Sequence, residues 1–367
     1  MNIALVKLSS LGDVVHALPV AVALRARLPR ARLAWVVERH EAALLTGNGL
    51  LDAVVPVDTR RWRRALDIRA MWRPFGAFRV GGEIADVARQ LRAARFDVAL
   101  DLQGLVKSGL LTAATRAPLR IGFAAGLCRE RPSALFTNRH VSPRPTARHV
   151  VERYLALLEP LGVRPATIEF PLPRDPAAEA RVDTFFARSR LKPPDRLVVL
   201  LAGAGRTDKR WPADRFATLA TRLTAETGAP VLVVWGPGEL ETARAIVDSA
   251  RGGSIELAPP STIGELIALL RRAAVVVGGD TGPLHLAAGL GVACVGLYGP
   301  TSAERNGPWG QVHRAVQSPD GTLAGVTLES VLARVVAALE PAMAGRSHGV
   351  PTARHPRSVA APRPPLQ

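Results

Sequence analysis

The chain has 367 residues, 48% of them apolar, which exceeds the usual size of one hydrophobic core and leads to an expectation of two domains of roughly 150 residues each. Its 48 basic residues against 31 acidic give a formal net charge of +17, which suits an anionic partner, whether a nucleotide, an acidic glycolipid, a membrane surface or nucleic acid, and charge alone does not choose among these. Nucleic acid is not expected, because aromatics are only 5% and no zinc-finger, RRM or KH signature occurs, and the two cysteines, Cys128 and Cys294, form neither a disulfide framework nor a metal set.

Asn2 to Val6 reads as a short buried strand, Lys7 to Gly12 as a turn, and a helix begins near Asp13 and runs to Leu28. This is the opening unit of a parallel α/β sheet. Lys7 and Asp13 interrupt what would be the apolar core of a signal peptide, so export is not expected and a cytoplasmic location is. Nowhere do 18 apolar residues run without a charge or breaker, so no membrane-spanning helix is expected. Further strands are expected at Leu33 to Val37 and Ala53 to Val57. The latter leads into residues 60–73, where Arg60, Arg61, Arg63, Arg64, Arg69 and Arg73 face one acid, Asp67, with Trp62 and Trp72 interleaved and Pro74 and Phe75 following. A solvated face is one reading of such a run; an anion-binding surface is the other, since guanidinium forks suit carboxylates and phosphates.

Glu83 to Ala94 reads as a helix, Val98 to Leu102 as a strand, and Gln103 to Ser108 as a turn before a helix around Leu110. A short strand at Arg120 to Phe123 sits among Arg-, Pro- and Gly-rich loops, and His149 to Leu161 reads as the helix closing the first half. The proline-punctuated stretch from Pro160 to Pro176 is the candidate linker. The pattern then restarts: strands at Leu197 to Leu201, Val231 to Trp235, Val275 to Val277 and from Ala293, with helices at Ala213 to Thr227 and Thr262 to Arg272. Two doubly wound sheets follow, and the loops 7–13, 203–212, 236–241 and 278–285 are expected at strand ends facing one crevice. Thr327 to Leu339 reads as a last amphipathic helix. The stretch from Met343 to Gln367 holds five prolines, four arginines and no acid, and is expected to be disordered.

The stretch from Ala274 to Thr301 concentrates the candidate chemistry. Gly278 and Gly279 allow a tight turn, Asp280 or Thr281 can cap the next helix, and Pro283 suits its first turn. The free amides of Thr281 and Gly282 at that helix end would receive a phosphate, with His285 on the same side; an ordinary turn with a buried histidine is the alternative. Asp13 is either a helix cap or, facing the crevice, a carboxylate kept ionised by helix amides and available as a base. Lys209 is either a surface lysine or a clamp for a diphosphate, whose charge as it departs would also be stabilised by the helix end at Thr281 and Gly282. No DxD or HExxH pattern appears, so no metal site is expected.

KLSSLGDVVHALP at the N-terminus, PVDTRRWRR at 56–64, DLQGLVKSGLL at 101–111, DKRWP at 208–212 and DTGPLHLAAGLGVACVGLYGPT at 280–301 together resemble the bacterial lipopolysaccharide heptosyltransferases, glycosyltransferase family nine, nearest their heptosyltransferase I branch. The resemblance covers about residues 1–340. It implies a GT-B fold, two doubly wound Rossmann-like domains facing a central crevice: residues 1–165 for the acceptor, 166–325 for the sugar nucleotide, a helix at 326–342 and the basic tail at 343–367. It implies inverting transfer of a heptose from ADP-heptose to the Kdo region of an acidic lipid A precursor, without cofactor or essential metal. Carried over by motif, Asp13 would be the general base, and Arg60, Arg63 and Arg64 would engage the acceptor. Lys209, Thr281, Gly282 and His285 would hold the donor diphosphate, with Asp280 shaping the loop, Glu239 on the sugar hydroxyls and residues near Pro259 and Ser261 at the adenine. An acidic membrane glycolipid as acceptor would place the enzyme peripherally on the anionic cytoplasmic face of the inner membrane. Ala204 and Gly205 stand where the family often has a hydroxyl pair, Arg210 stands where it often has histidine, and the tail matches nothing in it. The alternatives are a family member with another donor or acceptor, such as a second-heptose enzyme, a sugar-nucleotide epimerase of similar fold, and a non-enzymatic basic nucleic-acid or membrane adaptor, which the placement of Asp13, Lys209 and His285 in strand-end loops disfavours.

Overall fold

The structure, a computed structural model, describes residues 1–65, 74–191 and 196–344. Arg69, Arg73, Asp67 and Trp72 of the arginine run, and the tail beyond residue 344, lie outside the described residues, as do the side chains of Pro74 and Phe75.

The first half runs β1 (Asn2–Val6), α1 (Leu11–Arg27), β2 (Arg32–Glu38), β3 (Ala53–Val57), α2 (Thr59–Ala65), α3 (Pro74–Ala93), β4 (Val98–Asp101), α4 (Val106–Ala114), β5 (Leu119–Phe123), β6 (Arg139–Val141) and α5 (Val150–Ala156). The second runs α6 (Pro176–Arg188), β7 (Val198–Leu201), α7 (Ala213–Thr227), β8 (Val231–Val234), α8 (Leu240–Ser249), β9 (Ile255–Leu257), α9 (Ile263–Leu270), β10 (Val275–Gly279), α10 (Gly282–Gly289), β11 (Ala293–Tyr298), α11 (Ala303–Asn306), β12 (Val316–Gln317) and α12 (Leu328–Ala344). Each half builds a six-stranded sheet, in the orders β3-β2-β1-β4-β5-β6 and β12-β11-β10-β7-β8-β9. Every pairing is parallel. The central strands are buried on both faces, so they read as continuous apolar runs such as Ile3 to Val6 and Val275 to Val277.

Both sheets reverse their winding next to the first strand, between β1 and β4 and between β7 and β10. These are the two points where a crevice opens at the carboxyl ends of parallel strands. The halves are joined by contact between α1 and α10. A Cβ on Gly12 would stand 2.5 Å from the His285 ring, and one on Gly282 would stand 2.5 Å from Leu11, so glycine at both positions lets the two helix ends meet.

Several elements differ from the sequence expectation. The helix expected from Glu83 begins earlier, at Pro74, and runs through Gly81 and Gly82 with Val80 buried. The helix expected to reach Leu161 leaves α geometry after Ala156 and ends in a 3₁₀ turn at Glu159–Leu161, where Pro160 cannot donate a backbone hydrogen bond. Strands β6, β9 and β12 have only two or three residues and give no periodic signal. Helices α6 and α8 were likewise not assigned from sequence.

Candidate active site

A cavity of about 370 Å³ opens where the switch points of the two sheets face each other. The first half contributes Lys7, Ser10, Gly12, Asp13 and His16 from β1 and α1, Gln103 after β4, Arg129, and Arg153 and Tyr154 of α5. The second contributes Arg206 and Lys209 after β7, Asp280 to Gly282 and His285 after β10, and Arg305 and Asn306 of α11. Six cations and two carboxylates line it, so the space is strongly electropositive.

Asp13 occupies the third position of α1, after Ser10 as N-cap. Its Oδ2 accepts from the Ser10 amide at 3.1 Å and the Ser10 hydroxyl at 2.9 Å, and its Oδ1 accepts from the Tyr154 hydroxyl at 3.1 Å. The side chain is 30% exposed, into the cavity. Burial alone would raise its pKa, but the Lys7 ammonium at 3.5 Å and the two Ser10 donors hold it well below the usual carboxylate range. Asp13 thus closes a capping box and also presents an ionised carboxylate to the crevice; the two readings of this residue coexist. Lys7 is buried, which pulls its pKa down, and Asp13 and Asp101 partly offset that.

On the facing wall, Lys209 Nζ donates to Asp280 Oδ2 at 2.7 Å, and His285 Nε2 donates to Asp280 Oδ1 at 3.0 Å. A carboxylate only accepts, so Nε2 carries the His285 proton. Desolvation opposes ionisation of Asp280, yet the His285 and Lys209 contacts keep it well below the usual range. Thr281 is the N-cap of α10 without a side-chain cap bond; among the described residues its buried Oγ1, and the buried Nδ1 of His285, have no partner. The first turn of α10 therefore offers free amides and an unused hydroxyl at its positive end, beside a lysine held by a carboxylate. That is the chemistry of a diphosphate cradle.

The structure brings Asp13, Lys209, Asp280, Thr281, Gly282 and His285 to one cavity. The loop 236–241, after β8 one strand outward from β7, does not line this cavity but packs beside the loop that begins at Gly203. Glu239 instead folds back, accepting from the Gly236 amide at 2.7 Å, with its carboxylate against Gly203. Pro259 and Ser261 line a separate groove of about 410 Å³ with Arg181 and Phe185 of α6. Arg60, Arg63 and Arg64 are exposed on α2 and do not line the Asp13 cavity. Arg60 pairs at 3.4 Å with Glu41, which is buried.

Sequence reasoning missed Arg129, Arg153 and Arg305. Among the described residues none of the three has an ion-pair or side-chain hydrogen-bond partner, and all face the cavity. Partial burial and the nearby Arg305 lower the pKa of Arg153. One arginine in a loop and two in separate short helices carry no spacing signal, and only the fold assembles them. The missed Lys107, on α4, donates to the buried Glu38 at 3.3 Å.

Two parallel, doubly wound sheets closing on a crevice with a carboxylate on one wall and an anion cradle on the other define a nucleotide-sugar transferase of GT-B type. Residues 84–333 match the family model described as glycosyltransferase family 9 (heptosyltransferase), and the chain belongs to that family. It is 29% identical over 338 residues to lipopolysaccharide heptosyltransferase 1 of Salmonella typhimurium, covering 91% of this chain and 100% of that one. It is 31% identical over 325 residues to lipopolysaccharide heptosyltransferase 1 of Pseudomonas aeruginosa, covering 87% and 85%. The solved structure of the E. coli heptosyltransferase WaaC with ADP-2-deoxy-2-fluoro heptose superposes with a TM-score of 0.72 at 28% identity, over 92% of this chain and 99% of that one.

Proposed function

We propose that the chain transfers a heptose from ADP-heptose to a Kdo sugar of an acidic lipid A precursor, with inversion at the anomeric carbon. The observation that carries this reading is the placement of the Asp13 carboxylate and the Lys209–Asp280 pair on walls of one cavity contributed by the two sheets. In this reading the half up to about residue 165 holds the acceptor and residues 166–325 hold the donor. The donor diphosphate rests on the amides of Thr281 and Gly282 with Lys209 beside it. The acceptor hydroxyl oxygen bonds to the anomeric carbon as the bond from that carbon to the β-phosphate oxygen breaks. The hydroxyl proton passes to Asp13, and the electron pair leaves with ADP. Asp13 is ionised throughout the neutral range, and the hydroxyl turns strongly acidic as its oxygen bonds to carbon, so a carboxylate of low pKa suffices as acceptor of the proton. Lys209 and the α10 end stabilise the charge that develops on ADP.

Arg129 and Arg153, facing the cavity without acidic partners among the described residues, engage the acceptor's carboxylates. Arg60, Arg63 and Arg64, exposed on α2, add electrostatic docking on an anionic cytoplasmic leaflet, at about 1 kcal/mol per basic residue near the surface. Vesicles carrying the acceptor should therefore release the protein as salt rises; binding independent of ionic strength would refute this part.

Transfer from ADP-heptose to a Kdo-bearing lipid A precursor, with ADP and glycolipid both followed, tests the reading. Wild type is expected to form product and Asp13→Ala to be slower by at least about a hundredfold, the scale of a lost general base. Transfer only to an acceptor already carrying one heptose would move the enzyme to the second position. Donor consumption without acceptor would replace the transferase with an epimerase.

A further inference from the structure

The residues around Asp13 differ in what they contribute to it. Ser10 supplies two donors to Oδ2 from within the same helix end. Tyr154 comes from α5, 141 positions away, and reaches Oδ1 at 3.1 Å. Its ring is buried, and its hydroxyl oxygen accepts from Lys7 Nζ at 2.7 Å. The ammonium also lies 4.7 Å from the centre of that ring, and it stands at 3.5 Å from Asp13, longer than a charge-assisted hydrogen bond. The phenol therefore sits between the buried cation and the carboxylate, taking a hydrogen bond from the first and giving one to the second.

A carboxylate has about four lone-pair sites. Three are taken at short range, two on Oδ2 by Ser10 and one on Oδ1 by Tyr154. Were Tyr154 absent, Lys7 could close directly on Asp13 and fill the remaining site, or the carboxylate could turn about its Cβ–Cγ bond.

We propose that Tyr154 is a positioning residue for the transfer: by holding Lys7 and Asp13 apart it fixes the carboxylate plane and keeps one lone pair of Oδ1 turned into the cavity for the proton of the acceptor hydroxyl. The inference rests on the reading of Asp13 as the base. It assigns to α5, the helix before the connection between the halves, a direct hold on the reacting group.

A double-mutant cycle of Tyr154→Phe and Asp13→Asn in the full chain tests it, with kcat and both KM values measured for ADP-heptose and the Kdo-bearing lipid A precursor. Tyr154→Phe is expected to lower kcat about tenfold while leaving the donor KM within about twofold, and to have no further effect in the Asp13→Asn background, because it acts through that carboxylate. A tenfold loss of equal size in both backgrounds would overturn the proposal, as would an unchanged kcat in Tyr154→Phe. If Asp13→Asn itself keeps full turnover, it is the assignment of the base that fails. Because Tyr154→Phe takes one partner from the buried Lys7 ammonium, which keeps Asp13 and the Leu102 carbonyl, Lys7→Met and Lys7→Met/Tyr154→Phe supply a second pair of backgrounds: with no ammonium to hold off, the tyrosine change is expected to cost less kcat there than in the wild-type background, and an equal tenfold cost would also overturn the proposal.

Discussion

The imidazole of His16, on α1, lies against that of His285, on α10, with ring centroids 4.3 Å apart. His149 approaches His16 from α5's N-cap at 5.5 Å and donates through Nε2 to the Gly307 carbonyl at 2.9 Å. Three buried imidazoles from the two halves thus share one seam beside the cavity. Burial and the neighbouring imidazoles lower the pKa of His16, against the opposing pull of Asp13 and Asp280. Burial first, then His285, lowers that of His149, against the Gly307 carbonyl and Glu152.

These two histidines are neutral in the folded chain and take up protons more readily when it unfolds. Their contribution to stability is therefore complete above about pH 6.5 and is lost as pH falls below it, at roughly 1.4 kcal/mol per pH unit for each group still neutral in the fold. Urea unfolding from about pH 7.5 to about pH 5.5 should show this fall, and His16→Gln should reduce the slope by about one proton. An unchanged slope in that variant would mean that His16 is not the group responsible.

Lys209 and His285 both hold Asp280, so the donor loop is a unit. Lys209→Met leaves a largely buried carboxylate with one partner, and Asp280→Asn frees the lysine and the imidazole together. Each should lower kcat by about a hundredfold, the scale of one lost electrostatic contact to a leaving group. The double variant should lose far less than the product of the two, since both changes dismantle one arrangement. Steady-state ADP release measures all three; additive losses would show that Lys209 acts without Asp280.

Much of this loop was legible in the sequence. A buried strand, two glycines, Asp280, Thr281 and Pro283 form a local sequence of turn and helix-start signals, and β10 and α10 follow them. The same holds for β1 and Asp13, where strand, turn and helix start fall within a dozen residues. What escaped is non-local. Tyr154 reads as one more apolar residue in a helix, and only the packing of α5 on α1 puts its hydroxyl on Asp13. Glu239 is a second non-local case: turn signals at the end of β8 are clear, but that its carboxylate accepts from Gly236 and lies against Gly203 at the end of the neighbouring strand follows only from the strand order.

Arg129 and Arg153 face the cavity as cations without acidic partners among the described residues, while Arg60 is tied to Glu41. Truncation of the first two should therefore act on acceptor binding more than truncation of the third. Arg129→Met and Arg153→Met are each expected to raise the acceptor KM by about tenfold with the donor KM unchanged, and to flatten its dependence on salt. A rise in the donor KM instead would place these guanidiniums on the diphosphate.

Gly12 and Gly282 lie where α1 and α10 meet, and the neighbour of the first belongs to the donor loop. A methyl group at position 12 would meet Cδ2 of His285 at 2.5 Å, and that ring is buried and bonded to Asp280. The ring cannot swing away without releasing Asp280, so the strain falls on the seam between the halves or on the donor loop. Overpacking of this kind costs typically 1 to 3 kcal/mol. Gly12→Ala should thus lower the melting temperature by several degrees and raise the donor KM together. Gly49→Ala, whose added methyl meets nothing within 4 Å, is the control and should change neither. If Gly12→Ala lowered stability while leaving the donor KM at the wild-type value, the contact between Gly12 and His285 would hold the halves together without transmitting to the loop that carries Asp280.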